Sequence, residues 1–148
     1  MLETLICNFK SENMSSYLNI YLQEKGSEKK ILLTSYSRST DIYQTFRETI
    51  NPAYIGMEGE PKYSELTKQD LSYIINDIDG DLKKVNDRLS FIEKVIASNP
   101  DLINEALEWK EHKEDLEYTR SQIVFYKDLL SDMELETSGF SKMYCNID

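Results

Sequence analysis

Two cysteines, three prolines, five glycines and one histidine are all that this 148-residue chain holds of those residue types. Cys7 and Cys145 lie near opposite ends and form no CxxC or Cys/His cluster, so neither a disulfide framework nor a zinc site is indicated. Reduced core thiols are the favoured reading. Scarce glycine and proline fit a chain dominated by long regular elements. No apolar run approaches membrane-spanning length, and the start, Met1-Leu2-Glu3-Thr4, lacks a basic segment followed by an apolar one. The expectation is a soluble, cytoplasmic protein.

Basic residues are also in short supply: 17 Lys and Arg face 27 Asp and Glu, for a net charge of −10. The imbalance is local, because residues 99–136 hold eleven acids against four bases. Such a chain is not suited to bind nucleic acid directly through phosphate neutralisation, nor to bind an anionic membrane surface. Basic protein surfaces are its natural complement.

Recognisable reaction chemistry is missing as well. There is no phosphate-cradling Gly-rich loop, GxSxG, HExxH or dinucleotide fingerprint. Asp77-Ile78-Asp79-Gly80-Asp81 resembles the opening of a calcium loop, but Leu82 and Arg88 occupy the sixth and twelfth positions, where Gly and a bidentate Glu are required. His112 is the lone histidine, flanked by Glu111 and Lys113, which diverge around a helix; a seam position beside Trp109 suits it better than a catalytic base. No catalytic residue, cofactor-binding residue or metal ligand is nominated, and a non-enzymatic protein is expected.

What the chain does hold is a long heptad pattern. Leu71, Ile75, Ile78, Leu82, Val85, Leu89, Ile92 and Ile96 alternate at steps of four and three. This is the signature of a helix packed along a narrow seam. After Ser98-Asn99-Pro100-Asp101, Leu102, Trp109, Leu116, Ile123 and Leu130 recur every seven residues. Helices over about 64–98 and 101–136, joined by so short a turn, are predicted to fold back antiparallel. Gly80 costs ~1 kcal/mol relative to Ala, yet the heptad passes it undisturbed. Tyr73 and Ile74 on the first helix, and Phe125, Tyr126, Leu129 and Met133 on the second, widen the apolar stripe and predict burial beneath a base.

That base is read from the first third of the chain. Residues 2–9 suit a strand, and residues 16–24 alternate, with Leu18, Ile20 and Leu22 on one face. Residues 24–28 read as a hairpin loop and 29–36 as the returning strand. Ser39 or Thr40 can cap a short helix carrying Ile42, Phe46 and Ile50, which Asn51-Pro52 ends. Met143, Cys145 and Ile147 alternate in the tail and suit a strand returning to the base sheet.

The expected fold class is α+β: a small antiparallel sheet with a short helix at the base, plus a long antiparallel coiled-coil helical hairpin. The segments divide as a β-rich base with short helix and linker (1–63), the hairpin (64–136) and the tail (137–148), with 51–63 as the linker.

Two features of the second helix point to a partner. Seven acids from Asp101 to Glu117 span 17 residues, or ~25 Å of helix, close to one per phosphate step of a DNA strand. Ile103 and Leu107 lie off the Leu102/Trp109 line and are surplus to the seam; they either fold over the turn as a local cap or contact a partner, as an interface anchor would. The expected partner-binding set is therefore Ile103, Leu107, Glu108, Trp109, Glu111, Asp115 and Glu117. The functional expectation is a protein-binding module whose acidic helical arm docks on a basic partner. In its sharpest form it is a nucleic-acid-mimicking inhibitor of a nucleic-acid-binding protein. The alternative is a self-associating structural component, a homo-oligomer through the hairpin.

Overall fold

The computed structural model describes residues 16–55 and 62–148. Its elements are β1 (Tyr17–Glu24), β2 (Lys30–Ser37), α1 (Asp41–Thr49), β3 (Ser64–Glu65), α2 (Lys68–Val95), α3 (Leu102–Asp132) and β4 (Phe140–Ile147). Among the described residues the fold is α+β, with a four-stranded antiparallel sheet in the order β2-β1-β4-β3 and three helices. Contacts divide it into two compact units, residues 1–68 with 129–148 and residues 69–128.

In the first unit, strand alternation sets the core. Leu18, Ile20 and Leu22 of β1 lie opposite Ile147, Cys145 and Met143 of β4, and all six are buried. The C-terminal tail is thus a central strand, bonded to β1 along one edge and to β3 along the other. Thr40 caps α1, its Oγ1 accepting from the Tyr43 amide at 3.3 Å, which satisfies one of the helix's open N–H groups. Ile42 and Phe46 are buried as expected, Ile50 is half-buried, and Tyr43 joins them in the core. The helix ends where Asn51 turns to a φ of 46° ahead of Pro52.

The opposite face of β1 and β4 is polar and equally organised. Asn19 lies across from Asn146, and its Nδ2 donates to Asn146 Oδ1 at 3.1 Å. Ser35 Oγ donates to Asn19 Oδ1 at 2.7 Å, and Asn146 Nδ2 donates to the Lys62 carbonyl at 3.0 Å. Both amides are buried, so each of these bonds offsets a desolvation cost that water no longer covers. Tyr21, Tyr63 and Tyr144 follow on the same region, meeting edge-to-face at 5.1 and 6.2 Å, with Lys30 Nζ 4.8 Å from the ring centres of Tyr63 and Tyr144.

Within the 51–63 stretch read as a linker, residues 53–55 are bonded to the sheet. Ile55 N donates to Ile147 O at 2.7 Å and Ile147 N to Ala53 O at 2.8 Å, so residues 53–55 bond to the end of β4. Ser64 and Glu65 then pair with Cys145 and Tyr144 as β3. The physical reason is backbone satisfaction: a central strand leaves its second edge unpaired unless something covers it. The strand expected over 2–9 lies outside the described residues, as does Cys7; Cys145 is buried.

In the second unit the two long helices pack together. Leu71, Ile75, Ile78, Val85 and Ile92 of α2 are buried, and Leu82 and Leu89 are half-buried, so every heptad position within α2 faces inward. The helix runs unbroken through Gly80, whose outer side is open. From α3 come Leu102, Ala106, Trp109, Lys113, Leu116, Thr119, Arg120, Ile123 and Tyr126, all buried or half-buried. Two ion pairs cross between the helices in antiparallel register. Arg88 Nε and Nη2 meet Glu105 Oε1 at 2.9 and 2.5 Å, and Arg120 Nε meets Asp79 Oδ1 at 2.7 Å. The turn closes with Ser98 and Asn99 donating to the Val95 carbonyl and Leu102 to that of Asn99.

Burial of the widened stripe is only partly realised. Ile74, Tyr126 and Met133 are buried, but Tyr73 and Phe125 are exposed. Both sit on helix faces turned away from the α2–α3 seam, where nothing in their own unit covers them.

Candidate functional site

The candidate surface lies on the face of α3 directed away from α2. At about 100° per residue, Ile103, Leu107, Tyr118 and Phe125 fall within an arc of about 60°. Their sequence separations of four, eleven and seven each return the helix to nearly the same side. All four are large and open to solvent, at 50, 57, 66 and 57% exposure respectively. They form a ridge about 33 Å long.

In the gap between Leu107 and Tyr118, Glu114 falls on the same arc and Glu111 about 20° beyond its edge, and both are exposed. Among the described residues neither makes a salt bridge. Glu108 and Asp115 flank the ridge on one side, and Lys110 and Glu117 on the other, all exposed. Glu117 stands 3.9 Å from Lys113 Nζ, a loose pair of the kind that contributes little.

The seven residues singled out from sequence therefore separate into groups. Ile103 and Leu107 share the ridge, with Glu111 just beyond its edge. Glu108, Asp115 and Glu117 are its margins. Trp109 belongs elsewhere: it is half-buried on the seam side, and its Nε1 donates to Glu105 Oε1 at 3.3 Å. The Arg88 hydrogen bonds, assisted by that of Trp109, hold the Glu105 carboxyl below its ordinary value. His112 is exposed, its ring 6.1 Å from that of Trp109.

Tyr118 and Phe125 are the ridge residues that sequence reading missed. A signal was present, since they repeat at seven residues out of phase with the Leu116/Ile123 line. The sequence reading counts Phe125 with Tyr126, Leu129 and Met133 in the widened stripe, whereas Phe125 is exposed and Tyr126 buried. The two rings touch edge-to-face at 5.3 Å, one outside and one buried.

Other regions offer less. A shallow depression of about 200 Å³ lies among Leu66, Lys68, Met133, Glu134 and Lys142, smaller than the ~300–1,000 Å³ of ordinary small-molecule sites. Its lysines are committed, Lys68 to Glu134 and Lys142 to Glu65. Asp77–Asp81 lie inside α2 with Ile78 buried, so they form no cation loop. Among the described residues no three His, Cys, Asp or Glu side chains converge as a metal site, and no helix is long and apolar enough to cross a membrane. No protein-family model, curated protein or solved structure matches the chain, so the functional reading stands on this geometry.

Proposed function

We propose that the chain is a non-enzymatic protein-binding module: α2 and α3 form an antiparallel coiled-coil hairpin whose acidic outer face docks on a basic partner surface. The observation that carries this reading is the ridge of Ile103, Leu107, Tyr118 and Phe125 interleaved with Glu111 and Glu114. A helix of a monomer ordinarily turns one apolar stripe inward and leaves the other face polar. Here four large side chains remain exposed on the face opposite the seam. Large exposed apolar side chains set beside exposed charge are the composition of an interaction site.

The charge pattern separates the two readings of the sequence. Were two copies to stack ridge to ridge antiparallel about Glu114, that residue would face itself and Glu111 would face Glu117. Parallel stacking would set Glu111 and Glu114 each against its own counterpart. Each such pair sets like charges against one another, which opposes association. A basic partner gains where a second copy loses, so docking on another protein is favoured over self-association at this face. The interleaved apolar side chains also favour a protein surface over pure phosphate mimicry, which calls for carboxylates alone.

The test is affinity capture from lysate of the native host at low and high salt, comparing wild type with a Glu108→Lys/Glu111→Lys/Asp115→Lys variant. A basic protein retained at low salt, weakened at high salt and lost by the variant supports the reading. Capture indifferent to both salt and charge reversal removes it.

A further inference from the structure

Resting on that docking reading, we infer that the partner contributes an amphipathic α-helix laid lengthwise along the α3 ridge, with two Lys or Arg side chains one turn apart set against Glu111 and Glu114. Three features of the ridge select this occupant.

The first is shape. The ridge follows one side of α3 for about 33 Å and is no wider than a helix stripe, matching one face of a partner helix of about 22 residues. The second is backbone satisfaction. An extended strand lying against helix side chains finds no edge to bond, and its N–H and C=O groups are left without partners as the contact dries. A helix arrives with its backbone already paired. The third is charge. Glu111 and Glu114 stand at i and i+3 midway between the Ile103/Leu107 and Tyr118/Phe125 ends, exposed and without a salt bridge among the described residues. Two cations one turn apart on a facing helix meet both, and apolar residues on either side of them meet the two ends. A second copy of α3 fails this third condition, since it brings acids to acids.

The experiment uses the full chain and synthetic peptides of about 25 residues. One peptide is a helix with Leu at its contact positions and an Arg pair at its centre. The second carries Glu in place of that pair, and the third is the Arg peptide broken by a central proline. Binding is read by fluorescence anisotropy against wild type, Tyr118→Ala/Phe125→Ala and Glu111→Lys/Glu114→Lys, each first shown by circular dichroism to keep its helix content.

The Arg helix is expected to bind wild type about ten-fold or more tighter than either control peptide, as for hot-spot contacts. The aromatic double variant loses about the same factor. The charge-swapped variant prefers the Glu helix. Equal binding of the proline-broken peptide, or no inversion of preference by the charge swap, overturns the helical occupant. So does a stable dimer of wild type that Tyr118→Ala/Phe125→Ala dissolves. The docking reading is scored separately by the salt and charge dependence of captured protein, so it can stand while the helical occupant falls.

Discussion

Helices α2 and α3 are similar in length and pack on one another, yet they distribute their apolar side chains in opposite ways. On α2 nearly all of them converge: Leu71, Ile74, Ile75, Ile78, Val85 and Ile92 are buried, and the exposed pair, Tyr73 and Phe91, stand 18 residues apart. Phe91 moreover lies 5.5 Å beneath the Arg88 guanidinium. On α3 the seam is diluted by Ala106, Lys113, Thr119 and Arg120, while Ile103, Leu107, Tyr118 and Phe125 line the outside. One helix is specified by its neighbour in the fold. The other carries a second apolar face that its neighbour does not use, and acidic side chains share that face.

The contrast is broken most directly by truncation on the two helices. Ile78→Ala and Ile92→Ala should each lower the unfolding free energy by ~2–5 kcal/mol, because each leaves a cavity in the seam. Tyr118→Ala and Phe125→Ala should change it by no more than ~0.5 kcal/mol. Denaturant titration decides. A ridge truncation as costly as a seam truncation would make the ridge part of the folded core and sink the docking face.

Smaller effects sharpen the same comparison. Gly80→Ala should stabilise by about 1 kcal/mol, since an added Cβ meets nothing within 4 Å and helix propensity improves. Lys113→Leu, which restores an apolar residue to the α3 seam, should raise stability by ~0.5–1 kcal/mol, and thermal melting of the variant checks it.

The smallest expected effect is acid sensitivity. Glu105 titrates below its ordinary value when folded, held there by Arg88 and Trp109. Its contribution to stability is therefore complete above the unfolded value near 4.5 and fades as pH falls through the lower folded value. Trp109 is the sole tryptophan, so its fluorescence reports the change. Glu105→Gln should flatten that acid limb, and an unchanged limb would show that the pair has no influence there.

Much of this architecture was legible in the chain because it is written in near neighbours. Every heptad residue within α2 faces inward, Thr40 caps α1, and Leu18, Ile20 and Leu22 alternate into the core. Each depends on positions a few residues apart, which periodicity and capping chemistry report. The buried Asn19–Asn146 bond was not legible, since its members are separated by 127 positions and an asparagine in a strand ordinarily reads as solvent-facing. The same holds for residues 53–55 and β3, whose short pieces become sheet only because β4 offers them an edge.

By itself the sequence determined the spacing of the apolar side chains, the acid-rich composition of the second long helix and the positions of the turns, because those properties reside in local order along the chain. Only the tertiary structure decided which apolar residues of α3 are used internally and which are left outside. That division depends on where α2 lies, and no spacing along a single helix says which of its two apolar faces a neighbour will cover.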